Sequence, residues 1–369
     1  MIRSVNPYND QLLETFEETG KKELESKLSL AEKTYKDWSH TSFNQRAGLL
    51  RETARLLRNN KNEYARIITL EMGKIIRESV AEVEKCAWVC DYFADHAQEF
   101  LMDDHFDLDQ GHGMVMYQPI GTILGIMPWN FPFWQVFRFA APTLMAGNNI
   151  VLKHATNVPQ CAFAIEKIFR EAGAPEGVFQ NVFVSVPVID ETIGDPRIRG
   201  VSLTGSIDAG SKVGELAGKY IKKVVLELGG SDPYLVFSDA SLKEAAETRS
   251  EETAVKARMA NCGQRCNAGK RFIINRTVAR EFLEKFRDGI HNLNFGDPLD
   301  EKTDYASMAN PSQKEKLNKQ VEESINKGAK LFWQEDKVPH GDSFYNPAIL
   351  TGIKPGMPAY DEELFGPVA

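Results

Sequence analysis

Hydrophobic positions in the first hundred residues recur at helical spacing, whereas those after Tyr117 fall in short apolar runs. Residues 28–38, 47–57 and 63–92 each predict an amphipathic helix, and the last pattern continues across Gly73. These patterns predict a helical layer that packs on another part of the protein.

Beyond Tyr117, the short apolar runs alternate with helical patterns, which is typical of a parallel α/β sheet. The runs predicted to be strands are residues 121–127, 149–153, 178–184, 200–204 and 224–228. One connecting helix is predicted over residues 158–172, with Asn157 as its N-cap and Gly173 just past its end. Another is predicted to begin at Ser206.

A second series of strands and helices follows the pair Gly229-Gly230, so we expect a domain boundary near Gly229. Its predicted strands are residues 234–237, 271–275 and 330–333, and its predicted helices are residues 240–259, 278–291 and 312–326.

Residues 102–118 fit neither series. They are acidic and carry the turn signal Gly111-His112-Gly113 before an alternating run. A protruding hairpin and a solvated loop both remain open from this pattern alone.

The charge balance and the cysteine usage exclude several classes of protein. With 44 Lys and Arg against 52 Asp and Glu, the net charge of −8 argues against non-specific binding of nucleic acid. The chain has no long apolar run for a membrane span, and the polar N-terminus has no signal-peptide core. Five cysteines favour a reducing, cytoplasmic location. No metal site is predicted, because zinc-type spacings of His and Cys are missing.

Cys266 is the first candidate for chemistry. It follows a predicted helix and precedes a predicted strand, so we expect it in a turn, where the adjacent Arg265 would favour its thiolate. The alternative is a small buried hydrophobic residue. Cys86 and Cys90 lie on a predicted helix and are expected to be packing residues.

Glu227 and Asn130 are further candidates. Glu227 lies in an apolar strand, where burial would raise its pKa and suit a general base, unless it points to water at the strand end. Asn130 lies between aromatic and proline residues directly after a strand, so its amide could help to form an oxyanion hole. The alternative for Asn130 is an aromatic-rich turn without a partner.

The segment Thr204-Gly205-Ser206 lies at a strand-to-helix turn, and helix N-termini can receive phosphate groups. The ordinary dinucleotide fingerprint GxGxxG is not found in the chain, so this segment alone is a weak signal.

Together these segments resemble the NAD(P)-dependent aldehyde dehydrogenase superfamily. The motifs that carry the resemblance are, in order, LEMGK at 70–74, PWNFP at 128–132, LKHA at 152–155, LTGS at 203–206, LELGG at 226–230, GQRC at 263–266 and EELFGPV at 362–368. Within the superfamily, residues 129–157 look most like succinate-semialdehyde dehydrogenases. The resemblance implies an α/β fold with two Rossmann-like parallel-sheet domains and a small oligomerisation hairpin. A cofactor-binding domain would comprise residues 1–102 and 120–229, the hairpin residues 103–119, and the catalytic domain residues 230–369.

The resemblance also implies roles for individual residues. Cys266 would attack the aldehyde, Asn130 and the backbone N–H of Cys266 would hold the oxyanion, and Glu227 would activate the hydrolytic water. The residues implied to contact the cofactor are Trp129, Asn130, Lys153, Thr156, Gly205, Ser206, Leu228, Glu363 and Phe365.

Selectivity would depend on two positions. Where many NAD-preferring relatives carry an acid, this chain has the neutral Thr156, so we expect NADP or dual use with NAD. Thr156 could instead only cap a helix. Arg138, with Arg265 as a second contact, would bind a substrate carboxylate such as that of succinate semialdehyde. The alternative for Arg138 is a structural ion pair.

Relatives continue beyond the EELFGPV motif, so a fragment or truncated product is expected from the end at Ala369. A homo-dimer or tetramer is expected for the full-length protein, with a small aldehyde as substrate and no nucleic-acid or membrane partner. The competing hypotheses are a broad-specificity aldehyde dehydrogenase, an inactive nucleotide-binding fragment and a cysteine hydrolase without cofactor.

Overall fold

The computed structural model describes residues 1–242 and 253–369. These residues form two compact units. The first unit comprises Met1–Ser4, Glu14–Ile67 and Val80–Leu228, and the second comprises Val5–Leu13, Ile68–Ser79 and Gly229–Ala369. The second unit therefore includes two short segments from the first hundred residues, whereas the family resemblance implies one domain for all of residues 1–102.

The strands are β1 (Ile2–Val5), β2 (Leu12–Phe16), β3 (Asp104–Leu108), β4 (Gly111–Val115), β5 (Thr122–Met127), β6 (Asn149–His154), β7 (Phe179–Asn181), β8 (Ile198–Gly205), β9 (Lys223–Leu228), β10 (Pro233–Val236), β11 (Arg271–Ile274), β12 (Lys330–Gln334) and β13 (Ala348–Thr351). The described helices are α1 (Lys21–Trp38), α2 (Phe43–Asn59), α3 (Lys61–Met72), α4 (Ile76–Phe100), α5 (Trp134–Met145), α6 (Pro159–Glu171), α7 (Val186–Gly194), α8 (Ile207–Lys219), α9 (Ala254–Met259), α10 (Ala279–His291), α11 (Pro311–Asn326) and α12 (Pro358–Asp361).

The first unit is built on a five-stranded parallel sheet in the order β7-β6-β5-β8-β9. Its central strands are apolar on both faces because helices cover them, as the apolar runs predict. Leu28 of α1 packs in one core cluster with Leu124 of β5 and Val151 of β6. β9 is the edge strand of this sheet, and several of its residues are exposed.

The predicted helix over residues 63–92 is two helices, and the continuous prediction is wrong. α3 ends at Met72, Gly73 has a φ of +76°, and α4 begins at Ile76. A Cβ on Gly73 would lie 2.5 Å from Ser307 Oγ, so a side chain at this position is excluded by space as well as by backbone conformation.

The wholly helical reading of the first hundred residues is also wrong at the N-terminus, where β1 and β2 form a two-stranded sheet. The N-cap of α6 is Val158 rather than Asn157, and its side chain makes no capping hydrogen bond. Pro159 at the first helical turn fixes that start, because proline is favoured where no backbone N–H is needed.

The second unit contains a parallel pair, β10 with β11, and an antiparallel pair, β12 with β13. Phe282 and Phe286 of α10 pack in a core cluster with Val236 of β10. Half of the predicted helix over residues 240–259, namely residues 243–252, lies outside the described residues. Thr253 has an extended backbone and caps α9, so one uninterrupted helix through this position is excluded.

Residues 104–115 form an antiparallel hairpin of β3 and β4, in which Asp104 pairs with Val115 and Leu108 with Gly111. Of the two interpretations left open by the sequence, the structure has the hairpin. Apolar side chains at Phe106, Leu108 and Met114 are exposed on it. No helix within the described ranges is both long enough and apolar enough to cross a membrane.

Candidate active site

We call residues 260–266, which contain the predicted nucleophile Cys266, the nucleophile turn. It follows α9 as a short 3-10 segment in which Asn261 and Cys262 have φ values of 52° and 53°. This left-handed conformation is uncommon for residues other than glycine and stores strain. Gly263 has a φ of +70°, and a Cβ there would lie 2.4 Å from Gly366 O. Cys266 therefore lies in a turn, as its sequence context predicts.

Cys266 is exposed, whereas the other four cysteines of the chain are buried. The alternative that Cys266 is a small buried hydrophobic residue is wrong. The Cys262 thiol donates hydrogen bonds to Ala306 O at 3.5 Å and to Ser307 O at 3.3 Å. Burial raises the pKa of the Cys262 thiol to about 12, so this group stays protonated near neutral pH. Cys266 is thus the cysteine that a reagent in solution can reach.

Two ionisable side chains make hydrogen bonds with the backbone of the nucleophile turn. Glu78 Oε2 accepts a hydrogen bond from Asn261 N at 2.9 Å, and burial raises the pKa of this carboxyl group. Lys270 Nζ donates to Cys266 O at 2.5 Å. Both contacts fix the backbone around the exposed thiol.

The segment of Glu363 and Phe365 lies in the same unit and is tied to α9. Arg258 is fully buried, and its guanidinium donates to Val368 O at 2.7 Å and to Leu364 O at 2.8 Å. Glu363 is 19% exposed at its side chain and lies 3.1 Å from Lys270 Nζ. The EELFGPV motif is therefore connected through buried charges to the helix that leads into the nucleophile turn.

We call residues 128–132 the amide turn. It follows β5 in the first unit and contains Trp129, which is half-buried, and Asn130, which is 4% exposed. Glu82 Oε1 accepts hydrogen bonds at 2.9 Å from the backbone N–H groups of Phe133 and Trp134. A carboxylate at the start of α5 is favourable because the helix dipole is positive there.

His154 also holds the amide turn. Ala155 N donates to His154 Nδ1 at 2.8 Å, so the ring proton lies on Nε2, which donates to Pro132 O at 2.8 Å. Burial lowers the pKa of His154 to about 4, which keeps the ring neutral. Sequence reasoning missed Glu82 and His154 as positioning residues, and only the occurrence of His154 inside the LKHA motif pointed to it.

Glu227 is not buried, so of the two interpretations left open by the sequence, the structure has the exposed side chain near the strand end. Its side chain is 54% exposed, because it belongs to the edge strand β9. Arg138 of α5 lies 3.5 Å from Glu227 Oε2 and, through its other terminal nitrogen, 3.5 Å from Thr204 Oγ1. An exposed pair at this distance contributes little stability, so Arg138 is not held firmly in it.

The remaining residues of the first unit lie at or just beyond the carboxyl ends of their strands, where open α/β sheets bind ligands. Lys153 is half-buried near the end of β6, and desolvation lowers the pKa of its ammonium group. Thr156 is exposed in the turn that follows. Ser206 Oγ caps α8 by accepting from Ala209 N at 3.3 Å.

Gly205 and Leu228 end β8 and β9, so they complete this edge of the sheet. A Cβ on Gly210 would lie 2.4 Å from Leu228 Cδ2, so the glycine lets α8 pack closely on β9. Within the described residues there is no cluster of three or more His, Cys, Asp or Glu side chains that could hold a metal ion.

The order and content of these motifs agree with a known family. The sequence profile of the aldehyde dehydrogenase family matches residues 1–369. The chain belongs to the aldehyde dehydrogenase family. A probable NADP⁺ succinate-semialdehyde dehydrogenase of Synechocystis sp. is 45% identical over 368 residues, which cover 100% of this chain and 80% of the relative. The NAD(P)⁺ succinate semialdehyde dehydrogenase Sad of Escherichia coli is 41% identical over 366 residues, covering 99% and 78%.

Solved structures of aldehyde dehydrogenases agree with the fold. The succinic semialdehyde dehydrogenase of Streptococcus pyogenes, crystallised with NADP⁺, superposes with a TM-score of 0.95 at 34% identity, covering 100% of this chain and 80% of that one. The predicted α/β aldehyde dehydrogenase fold is thereby confirmed. The roles of the individual site residues stay predictions.

Proposed function

We propose that this aldehyde dehydrogenase oxidises succinate semialdehyde to succinate with NADP⁺, and also with NAD⁺, through a covalent intermediate on Cys266. The exposure of Cys266 in a strained turn, with the other cysteines buried, carries this proposal. The named activities of its relatives from Synechocystis sp. and Escherichia coli support the substrate and the cofactor.

In the proposed reaction, the Cys266 thiolate adds to the aldehyde carbon and gives a thiohemiacetal. The Asn130 amide and the backbone N–H of Cys266 donate hydrogen bonds to its oxygen, which carries the developing negative charge. The bound nucleotide supplies the acceptor for the hydride that leaves this carbon. The product is a thioester on Cys266, and Glu227 accepts a proton from the water that attacks it, so that the C–S bond breaks and the thiolate returns.

The residues at the strand ends fit a 2′-phosphorylated nucleotide. Thr156 is exposed and neutral, so it would not repel a phosphate as a carboxylate would, and the Lys153 ammonium group lies in the same region of chain. The capped N-terminus of α8 at Ser206 suits a phosphate group. Trp129, Gly205 and Leu228 would line the same binding site, and Glu363 with Phe365 would contact the nicotinamide ribose.

We assign cofactor binding to residues 1–102 and 120–229, and catalysis to residues 230–369. The hairpin at residues 103–119 would join subunits of a dimer or tetramer, because its exposed apolar side chains, such as Phe106 and Leu108, suit an interface. A cytoplasmic location remains an expectation from the free cysteines.

The proposal is tested by replacing Cys266 with serine and following nucleotide reduction with succinate semialdehyde. We expect the rate to fall by about 10⁴-fold or more, because the covalent step is lost. The matched control is Cys161→Ala, which changes a buried cysteine on α6 and should retain activity. Retained activity in Cys266→Ser would reject the covalent mechanism.

A broad-specificity aldehyde dehydrogenase is the second candidate. The observation that favours it is the contact between Arg138 and Glu227, since an arginine paired with a protein carboxylate is less available to a substrate carboxylate. Arg138→Ala decides between the two. A KM increase for succinate semialdehyde but not for an uncharged aldehyde of similar length supports carboxylate recognition, and equal effects on both aldehydes support broad specificity.

A further inference from the structure

Lys270 is a buried cation that contacts the nucleophile turn. Its side chain is 1% exposed, although lysine is almost never fully buried unless its charge is paired. The ammonium group has two partners of different kinds. It donates to the backbone carbonyl oxygen of Cys266 at 2.5 Å, and it lies 3.1 Å from Glu363 Oε1.

Glu363 also lies close to the backbone at Gly229. A Cβ on Gly229 would lie 2.0 Å from Glu363 Oε2, so the carboxylate occupies space that any side chain at residue 229 would fill. The glycine therefore lets the carboxylate come close to the chain while Lys270 pairs with it. Glu363 is therefore close to both Lys270 and Gly229.

We propose that Lys270 is a positioning residue that joins the nucleophile turn to Glu363, so that one ammonium group sets both the backbone at Cys266 and the carboxylate of the EELFGPV motif. This inference rests on the proposed function, in which Cys266 is the nucleophile and Glu363 contacts the nicotinamide ribose. Lys270 acts through these two residues and contacts no reacting atom itself.

The charges around Lys270 determine the sign of the change that we expect at Cys266 when one of them is removed. Desolvation lowers the pKa of the Lys270 ammonium group, Glu363 and Asp232 oppose this effect, and Arg258 adds to it. Arg265 lies next to Cys266 in the chain, and Glu78 accepts from the same turn. In Lys270→Met the carboxylate of Glu363 would lack its cation partner, so we expect negative charge near the nucleophile turn to be less favourable. In Glu363→Gln the cation would lack its carboxylate partner, so we expect the opposite effect.

The test measures alkylation of Cys266 by iodoacetamide as a function of pH, in the whole chain without cofactor. Mass spectrometry confirms that the adduct lies on Cys266. In Lys270→Met we expect the pH midpoint to rise, with a rate about three- to tenfold lower at neutral pH. In Glu363→Gln we expect the midpoint to fall. Lys270→Arg, which keeps the cation, should restore most of the rate. Lys316→Met, the same change at an exposed position of α11, should leave the profile unchanged.

A merely structural role for Lys270 predicts a different result, because loosening the turn would move both profiles in one direction. An unchanged profile in Lys270→Met, or shifts of equal sign in Lys270→Met and Glu363→Gln, would overturn the inference. If Lys270→Met does not fold, as judged by circular dichroism, the direction of the Glu363→Gln shift decides. The activity of Cys266→Ser distinguishes the two levels. If this variant stays active, the proposed function fails. If it is inactive but the alkylation profile of Lys270→Met is unchanged, only the role of Lys270 is rejected.

Discussion

The amide turn of the first unit and the nucleophile turn of the second unit differ in how their backbones are held. None of residues 128–132 has a positive φ, and the turn is fixed by a neutral histidine and by Glu82 at the start of α5. In the nucleophile turn, Asn261 and Cys262 are both left-handed. Its neighbours include buried charges on Arg258 and Lys270.

This difference shows which interactions stabilise the backbone of each turn. A left-handed residue other than glycine costs about 1–3 kcal/mol, and charge-assisted hydrogen bonds are strong enough to offset such a cost. The amide turn has an ordinary backbone, so the neutral His154 and the Glu82 carboxylate at the start of α5 suffice to hold it. We therefore expect substitution of the charged side chains around the nucleophile turn to lower the free energy of unfolding more than substitution of the side chains that contact the amide turn.

The largest expected effect on stability is that of Arg258→Ala. The guanidinium donates to carbonyl oxygens that have no access to water, and each such charged hydrogen bond contributes about 1.5–3 kcal/mol. We expect the free energy of unfolding to fall by roughly 3–5 kcal/mol, measured by urea denaturation. Arg280→Ala, at an exposed position of α10, is the control and should change it by less than about 0.5 kcal/mol. Equal losses in the two variants would contradict the comparison.

Asn130→Ala tests whether the amide turn contributes to catalysis. If the amide donates to the developing oxyanion, kcat should fall by about 10²–10³-fold, while the free energy of unfolding changes much less than in Arg258→Ala. Steady-state kinetics with succinate semialdehyde gives kcat. Asn318→Ala, an exposed asparagine on α11, serves as the control. A kcat that stays near the wild-type value would remove Asn130 from the oxyanion hole.

His154, which contacts the amide turn, makes the stability of the folded protein depend on pH. Its pKa is lowered from 6.5 to about 4 in the folded state, so the unfolded chain binds a proton that the folded chain does not between these values. Stability therefore rises with pH through this window, and about 3 kcal/mol is lost as the pH falls from about 6.5 to about 4. In His154→Gln we expect this part of the acid dependence to disappear from urea midpoints measured against pH. His105→Gln, on the exposed hairpin, should keep it.

Local sequence patterns predicted much of this fold because parallel sheets have local signatures. The strand ends and the turn of Cys266 follow from apolar runs and from breaks between them. Whether Glu227 is buried was left open for a reason that is not local. Its apolar neighbours resemble a central strand, but the position of β9 at the sheet edge depends on how many strands pair beyond it.

The side chains that hold the two turns could not be found in this way. Asn261 N and Glu78 are separated by 183 residues in the chain, and Phe133 N and Glu82 by 51. No periodicity marks a carboxylate that folding brings to a distant backbone N–H. Lys270 lies four residues from Cys266, but its second partner, Glu363, belongs to a distant motif.

The smallest expected effect is that of Glu82→Gln, which keeps the shape of the group that accepts from Phe133 N and Trp134 N but removes its charge. The amide oxygen can still accept both hydrogen bonds, whereas the favourable interaction of the charge with the dipole of α5, which is about 1 kcal/mol, is lost. We expect a drop of that size in the free energy of unfolding and a kcat lowered by only a few-fold, because Asn130 keeps its place. Glu84→Gln, the same change at an exposed position on α4, is the matched control and should leave kcat unchanged. If Glu82→Gln lowered kcat as far as Asn130→Ala does, the amide turn would depend on a buried charge as the nucleophile turn does, and the contrast between the two turns would be lost.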